Sequence, residues 1–474
     1  MSVKPSPPNR TPPAAAQPAP RRKEVDLRLV PFGFGALILL GTLLLALPWT
    51  HRPGSSLGLL DALFLSTSAT CVTGLTTVNV AATFNGAGQA VLLLLIQTGG
   101  LGILTASISL VLLSGNRLSL ADEQAIHATV GRIQQARPLD VFIYACLFVL
   151  LFEVAGAVAL FPLIAEASPD SSAWQALWEA FFHSVSAFCN AGISIYPDNL
   201  AHWRHHPTIL TVIDLLVVAG GIGLMTLINL RYYAFWRRDP RRRGRLALQT
   251  RLALLMAAAL LVAGTVATLV FEWNHTLRNA RASERIWWAL FHSTMTRTAG
   301  FNVVEVGDMN PPTLLVTLGL MFVGGSPGSM AGGIKTVTLA VLVMTAWSAL
   351  RRREELQFWG RRLRPKLSNV AAMLTLLAGA SVLLGVGLLM ISEDSQPASQ
   401  TQQRWLAVVF EAVSAFGTVG LSTGVTPLLT GWGKAIIVAL MFSGRVGPLV
   451  MSVYLARPAR PLLVRYPREE LALG

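Results

Sequence analysis

Eight long apolar stretches constrain this sequence more than any other feature, because each is about as long as a membrane-spanning helix. They lie near residues 29–50, 88–114, 139–165, 208–236, 250–273, 313–347, 369–391 and 433–456. A helix that crosses the hydrocarbon core needs about 20 mostly apolar residues. Charged residues make up only 13% of the chain. The sequence therefore predicts a polytopic membrane protein and excludes a soluble enzyme, a disordered chain and a fibre.

Four shorter apolar stretches alternate with these spans, near residues 58–69, 175–188, 284–296 and 404–416. They are too short to cross a bilayer and are predicted to be re-entrant or interfacial helices. Lys and Arg in the segments that this topology places inside outnumber those outside by about four to one. The positive-inside rule then predicts that both termini are cytoplasmic. It also accounts for the net charge of +14 without any binding to nucleic acid.

A fourfold internal repeat is the strongest pattern in the chain. Each short stretch carries a phenylalanine that is followed by a glycine-containing loop: Phe64 and Gly74, Phe182 and Gly192, Phe291 and Gly300, Phe410 and Gly420. The Phe-to-Gly separation is ten residues in three copies and nine in the third. Each unit is predicted to run as an outer helix, a short pore helix, a loop and an inner helix.

Four such loops around one axis have the properties of an ion selectivity filter. A dehydrated cation needs a cage of oxygens, which backbone carbonyls supply, and glycine allows the backbone angles that this requires. A helix ending at mid-membrane also directs its negative C-terminal dipole at the cation. A single copy is better explained as a tight turn between helices, but four copies favour the filter. Serine hydroxyls on the short helices either support the filter or pack helices together: Ser66, Ser184, Ser293 and Ser414.

The loops at 71–75, 296–302 and 417–421 closely resemble the filters of the Trk/Ktr/HKT superfamily of potassium transport proteins. The resemblance covers residues 28–456. It implies an all-α polytopic membrane protein with four pseudo-symmetric outer helix–pore helix–inner helix repeats around a central ion pore. It also implies that the transported potassium ion contacts the backbone of Val72, Thr73, Gly74, Asn190, Ala191, Gly192, Thr298, Ala299, Gly300, Thr418, Val419 and Gly420.

Details of the resemblance indicate which type of protein within the superfamily this chain is expected to be. The first filter position holds glycine in potassium-selective members of the superfamily and serine in many sodium-selective ones, and here it is Gly74. The first short helix follows the first span directly, as in the bacterial KtrB type of ion-translocating subunit, whereas the TrkH type has an extra pair of spans. Two residues depart from the expected pattern: Asn79 stands where an acidic residue is expected, and Met330 near where threonine is frequent.

The sixth apolar stretch contains a segment in which a regular helix is not expected to survive. The resemblance implies that this segment is an intramembrane gate. Its residues are Gly324, Gly325, Ser326, Pro327, Gly328, Ser329, Met330, Ala331, Gly332, Gly333 and Lys335. The spacing is not that of a phosphate-binding loop, because Ile334 separates Gly333 from Lys335. No nucleotide site is therefore expected on this chain.

Two arginines are predicted at membrane depth, where an unpaired charge is costly. Arg445, in the last span, is expected to donate to carbonyls of the 324–335 segment and hold it across the ion path; a structural pin between helices is the alternative. Arg297, beside the third loop, is expected to pair with a carboxylate, either Glu411 or Glu179. The glycines of 99–102 and 220–223 are expected to allow close helix packing and to widen the cavity.

The predicted organisation divides the chain into six segments. They are a disordered cytoplasmic tail at 1–27, four repeats at 28–116, 117–236, 237–350 and 351–456, and a cytoplasmic tail at 457–474. The expected function is potassium uptake across the bacterial cytoplasmic membrane. A sodium-conducting or sodium-coupled transporter is the first alternative, and a membrane-embedded enzyme is a remote one. The resemblance also implies a homodimer and a cytoplasmic nucleotide-binding regulatory ring of the KtrA/TrkA kind.

Overall fold

The protein is almost wholly helical. The computed structural model describes residues 29–113, 138–236, 246–352, 357–359, 361–362, 366–394 and 404–456. Within these ranges the chain forms fifteen α-helices and one pair of two-residue antiparallel strands, β1 (Gln357–Phe358) and β2 (Arg361–Arg362). The predicted tails at 1–27 and 457–474 and the basic segment at 237–245 lie outside the described residues.

The helices fall into four successive units of outer, pore and inner helix. The outer helices are α1 (Leu29–Ala46), α5 (Pro138–Ala167), α9 (Leu248–Glu272) and α13 (Lys366–Ser392). The pore helices are α2 (Leu59–Thr70), α6 (Ala173–Phe188), α10 (Ala282–Met295) and α14 (Arg404–Gly417). The inner helices are α4 (Gly86–Leu113), α7 (Pro207–Ile222) with α8 (Leu224–Trp236), α11 (Pro311–Phe322) with α12 (Thr336–Leu350), and α15 (Gly431–Ala456). A single turn, α3 (Val80–Thr83), lies in the first outer loop.

Length and hydropathy alone identify only some of these helices as spans. Within the described residues, three segments are long and apolar enough to cross a bilayer: Ala145–Ala167, Leu248–Glu272 and Leu367–Ser392. Helices α7 and α8 together form a fourth candidate, although they are bent by 98° at their junction. Helices α1, α2, α4, α11 and α12 contain shorter apolar segments. The remaining helices are assigned as outer, pore or inner helices by their place in the repeat.

The four units close into a ring. The inner helix of each unit packs on the pore helix of the next: α4 on α6, α7 on α10, α11 on α14, and α15 on α2. An ion pair between Lys434 Nζ and Asp61 Oδ1, 2.6 Å apart, joins the fourth unit to the first at this last contact. The pore helices are therefore enclosed between neighbouring units, with their C-terminal ends buried.

One packing contact recurs in every unit, where the outer helix crosses its own inner helix. A glycine on the outer helix faces a leucine on the inner helix, and a Cβ on that glycine would lie 2.7 Å from the leucine Cδ1. The four pairs are Gly41 and Leu95, Gly156 and Leu216, Gly264 and Leu320, and Gly385 and Leu440. Small residues at such crossings allow membrane helices to approach closely.

Three of the four serines considered in the sequence belong to this same crossing. The hydroxyl groups of Ser66, Ser184 and Ser293 donate to the outer-helix carbonyls of Ile38, Glu153 and Leu261, at 2.7, 2.6 and 2.8 Å. Of the two roles left open by the sequence, helix packing is therefore the one that these three serines have. The fourth, Ser414, lies elsewhere and contacts the loop that follows its own short helix.

The crossing generates a stability prediction. Replacing Gly264 by valine forces a side chain against Leu320 and Ser293, and overpacking of this kind typically costs about 1–3 kcal/mol. We expect a lower thermal unfolding midpoint for the purified protein in detergent. Gly379, on α13, is the matched control, because a Cβ there meets nothing within 4 Å. Equal midpoints for G264V and G379V would contradict the assignment of this crossing.

Candidate ion pathway

Each pore helix ends in a loop with an unusual backbone. The first and third residues of a three-residue segment have positive φ in all four loops. The first positions are Val72 (55°), Asn190 (58°), Thr298 (69°) and Thr418 (49°), and the third are Gly74 (102°), Gly192 (66°), Gly300 (70°) and Gly420 (91°). A non-glycine residue at positive φ is uncommon, so four at one equivalent position indicate a constrained conformation that departs from the alternating carbonyl directions of a strand.

The four loops contact one another in cyclic order. A Cβ on Gly74 would lie 2.5 Å from the carbonyl oxygen of Ala191, and one on Gly300 would lie 2.5 Å from that of Val419. The same contact relates Gly192 to Ala299, and Gly420 to Thr73. Each glycine therefore abuts the middle carbonyl of the next loop, and any side chain at these four positions would displace the ring.

Hydroxyl groups one turn from the pore-helix ends hold three of the loops. Ser68 Oγ accepts from the Gly74 N–H at 3.0 Å, and Ser414 Oγ accepts from the Gly420 N–H at 3.2 Å. Ser186 Oγ donates to the Ile193 carbonyl at 2.7 Å. Ser68 and Ser186 were missed by the sequence analysis, although their position four residues after the repeat phenylalanine matches that of Ser414.

Hydrogen bonds of Asn79 and Tyr196 hold the outer side of the loops. Asn79 Oδ1 accepts from the Ala82 N–H at 3.1 Å, and Asn79 Nδ2 donates to the Pro197 carbonyl at 3.1 Å, which links the first unit to the second. The Tyr196 hydroxyl donates to Glu179 Oε2 at 2.8 Å. Burial, with the neighbouring Glu179 carboxylate, raises the pKa of Tyr196 well above its usual range, so this hydroxyl stays a donor.

Within the part of the chain that the structure describes, Arg297 pairs with no carboxylate, so its predicted pairing with Glu411 or Glu179 is wrong. Its Nη1 donates to the Ala257 carbonyl on α9 at 2.8 Å, because the side chain faces the outer helix of its own unit. Glu179 accepts from Tyr196, as described above. Glu411 accepts from the Thr423 N–H at 3.0 Å and from the hydroxyls of Ser422 and Thr426 at 2.6 Å. Glu411 therefore holds the outer part of the fourth loop.

The glycine-rich segment lies between α11 and α12, where the third inner helix is broken. The Gly324 N–H donates to the Ile334 carbonyl at 2.9 Å, and the Thr336 N–H donates to the Gly325 carbonyl at 3.0 Å, so the two ends of the segment lie side by side. A Cβ on Gly324 would lie 3.3 Å from Thr298 Cγ2, and one on Gly332 would contact Thr418 Oγ1. The segment therefore lies directly against the loops that follow the pore helices of the third and fourth units.

Two basic side chains bind the backbone of this segment. Arg445 Nη1 donates to the Met330 carbonyl at 2.5 Å, and Lys335 Nζ donates to the Ala331 carbonyl at 2.6 Å. Arg445 is only 3% exposed. Its Nε and Nη2 atoms make no hydrogen bond to any residue that the structure describes. The guanidinium group is thus buried beside the path and is held at one of its three nitrogens.

The second inner helix forms the other side of this contact. The Ser326 and Met330 N–H groups donate to the carbonyls of Gly221 and Gly220, at 3.0 and 3.1 Å, and the Leu224 N–H donates to the Gly328 carbonyl at 3.1 Å. The glycines of 220–223 were expected to allow close helix packing and to widen the cavity. They also form a break that was not predicted, with Gly223 at a φ of 89°. The glycines of 99–102 remain inside the continuous helix α4.

Fold and loop geometry together define an all-α membrane protein with four loops gathered around one axis. Residues 33–460 match the model of the TrkH family, described as cation transport proteins. The chain is 33% identical over 457 residues to the potassium/sodium uptake protein NtpJ of Enterococcus hirae, covering 96% of this chain and 98% of that protein. It is also 33% identical over 450 residues to the Ktr system potassium uptake protein B of Bacillus subtilis, covering 94% of this chain and 96% of that protein.

A solved structure shares the fold. The crystal structure of the potassium transporter TrkH from Vibrio parahaemolyticus matches with a TM-score of 0.67 at 17% identity, and the match covers 93% of this chain and 87% of that one. The chain belongs to the TrkH family of cation transport proteins. The predicted superfamily and the predicted four-repeat all-α fold are thereby confirmed. The boundaries of the individual repeats stay predictions.

The two sets of serines generate a prediction that separates loop support from helix packing. Ser68→Ala and Ser414→Ala each remove a hydrogen bond within a filter loop, which is worth about 1 kcal/mol. We expect the thermal stabilisation of the purified protein by potassium chloride, relative to choline chloride, to fall accordingly. Ser66→Ala is the control, because its hydroxyl contacts only the outer helix. An equal loss of potassium-dependent stabilisation in S66A would contradict the distinction between serines that support a loop and serines that pack helices.

Proposed function

We propose that this protein takes up potassium across the bacterial cytoplasmic membrane, as the channel-like translocating subunit of a Ktr/Trk-type system. The observation that carries the proposal is the closed ring of four loops, each with positive φ at its first and third residues. The names of relatives that match over nearly their whole length, including a Ktr system potassium uptake protein, support potassium as the ion.

The ring provides what a dehydrated cation requires. Backbone carbonyls replace the lost hydration shell, and the C-terminal ends of four pore helices contribute partial negative charge around the same axis. Selectivity then depends on how rigidly the carbonyls are held. Contact between each glycine and the next loop, with the supporting hydroxyls of Ser68 and Ser414, restricts that movement.

The segment 324–335 is the gate in this proposal. It lies against Thr298 and Thr418, so in this position it obstructs the inner end of the filter. Arg445 holds it through the Met330 carbonyl and adds a positive charge that opposes the passage of cations. Opening requires the segment to move away from the axis and the hydrogen bond from Arg445 to break.

Regulation is assigned to a cytoplasmic partner. The chain is proposed to form a homodimer that binds a ring of nucleotide-binding regulatory subunits of the KtrA/TrkA kind, as the family resemblance implies. The names of two relatives, Ktr system potassium uptake proteins B and D, support a partner subunit. The basic segments at 237–245 and 351–366 are candidate docking sites for the ring. Contact with anionic lipid is an equally good explanation of their charge.

Sodium conduction or sodium coupling is the second candidate function. It is favoured by one relative, NtpJ, whose name includes both potassium and sodium. Every filter loop has glycine at its third position, and this favours potassium as the main ion. In the superfamily that the chain resembles, many sodium-selective members have serine at the position of Gly74 in the first loop. Parallel measurement of both ions separates the two candidates.

The filter assignment is tested by Gly74→Ser. A side chain there meets the Ala191 carbonyl at 2.5 Å and must adopt a φ of 102°, so the ring has to deform. We expect rubidium-86 uptake by a potassium-uptake-deficient bacterium to fall at least tenfold relative to sodium-22 uptake. Gly86→Ser, at a position where a Cβ meets nothing within 4 Å, is the matched control.

The outcomes are distinct. Wild-type uptake of rubidium, with preference lost in G74S and kept in G86S, supports the filter. A membrane-inserted wild-type chain that transports neither ion, alone or with a co-expressed regulatory subunit, would overturn the proposed function. Unchanged preference in G74S would overturn the filter while leaving transport in place.

The gate assignment is tested by Arg445→Ala. A hydrogen bond from a charged donor is worth about 1.5–3 kcal/mol, so its loss shifts the balance towards the open segment by roughly tenfold or more. We expect rubidium uptake by the chain expressed without a regulatory partner to rise. Arg278→Ala, which removes an exposed charge, should leave uptake unchanged. If R445A transports no more than wild type at equal expression, the gating role is refuted.

A further inference from the structure

Two inner helices carry nearly the same glycine motif but have different structures. In the first unit, Gly99-Gly100-Leu101-Gly102 lies within the continuous helix α4. In the second unit, Gly220-Gly221-Ile222-Gly223 ends α7, and α8 leaves at an angle of 98°. Local sequence does not explain this difference, since both motifs read Gly-Gly-aliphatic-Gly. What distinguishes them is the kind of contact with the segment 324–335: the first motif faces the Met330 side chain, whereas the second exchanges backbone hydrogen bonds with the segment.

That segment uses the backbone groups that the break sets free. In a continuous α-helix the carbonyl of Gly220 accepts from the Leu224 N–H, and the carbonyl of Gly221 from the next N–H. Here both carbonyls accept from the segment, at the N–H groups of Met330 and Ser326, while the Leu224 N–H donates to Gly328. The carbonyls of Pro327 and Gly328 lie 3.0 Å from the position of a Cβ on Gly223.

We propose that straightening of the second inner helix at Gly223 and release of the segment 324–335 are one event, because they use the same backbone hydrogen-bonding groups. The bent helix binds the segment against the filter. The straight helix satisfies its own carbonyls and has no groups left to bind it. Gly223 is the positioning residue of this exchange, and the inference rests on the proposed gating function.

The exchange is close to two-state for a physical reason. Buried backbone groups at membrane depth cannot remain without partners. An intermediate in which the carbonyls of Gly220 and Gly221 bond neither to the segment nor within their own helix is therefore disfavoured. Glycine suits the junction because it adopts the positive φ of the bent form and still enters a helix, as Gly102 does in α4. The helix α8 continues to the cytoplasmic side of the predicted topology, where a partner can act on it.

The test exploits the pseudo-symmetry of the two motifs. Gly223→Ala penalises the φ of 89° in the bent form and favours the straight helix through helix propensity, by roughly fivefold or more. We expect G223A to raise regulator-independent rubidium uptake at least fivefold, without changing the rubidium-to-sodium preference. Gly102→Ala is the matched control, because Gly102 is already helical and a Cβ there would lie 3.5 Å from the Phe34 ring, an ordinary van der Waals contact.

A second measurement does not depend on transport. Spin labels at Thr208→Cys and Arg231→Cys, both exposed, report the bend in a Cys146→Ser background, since Cys71 and Cys189 are buried. Helix rise predicts a separation of roughly 24 Å when bent by 98° and roughly 35 Å when straight. Amide exchange of 324–335 reports release of the segment in the same samples.

The expected result is a longer distance and faster exchange in G223A, with G102A matching the wild type. A longer distance without faster exchange would refute the coupling, and an unchanged distance would refute the hinge. Faster exchange at an unchanged distance would show that the segment moves independently. If the wild type does not transport, the proposed function fails, while the distance and exchange measurements still decide the hinge.

Discussion

The structure depends on one constraint, namely that backbone N–H and C=O groups within a bilayer must find partners inside the protein. Regular helices meet this requirement alone, so they form the outer parts of every unit. Irregular backbone occurs at the axis, in the four loops, the segment 324–335 and the break at Gly223. The loops donate to carbonyls of their own pore helices and, in three units, also contact a serine hydroxyl there, whereas the segment and the break bond to each other.

Because the four units are pseudo-symmetric, a residue that differs from its equivalents in the other units is informative. Arg445 occupies the position that Gly100, Gly221 and Gly325 hold in the other inner helices, one residue after a glycine that aligns in all four. At this level every inner helix contacts the segment 324–335 or belongs to it. A Cβ on Gly100 would lie 3.3 Å from Met330 Sδ, Gly221 accepts from Ser326, and Arg445 donates to Met330. The segment 324–335 is therefore contacted by the first, second and fourth inner helices at one depth.

The sequence predicts the parts of this molecule that follow from periodic or repeated patterns. The four-unit fold was predicted from the lengths of the apolar stretches, the short helices and the Phe-to-Gly spacing. The glycines indicated where the loops and the broken helix lie. Contacts set by three-dimensional proximity were not accessible. Ser66 and Ser68 differ by two positions on one helix, yet one faces the outer helix and the other the loop. Arg297 binds a carbonyl of α9, and no local pattern marks a backbone acceptor.

The segment 324–335 is held against the loops by contacts that are individually weak. The segment 324–335 is held by backbone hydrogen bonds that the second inner helix can also make to itself, so exchanging them costs little net energy. Among the described residues Arg445 makes a single hydrogen bond, and a buried charge with incomplete partners is poorly stabilised. The position of the segment 324–335 is therefore close to balance. In the proposed mechanism a cytoplasmic partner moves this segment by acting on α8 or α12, while the ring of loops, in contact at every glycine, stays in place.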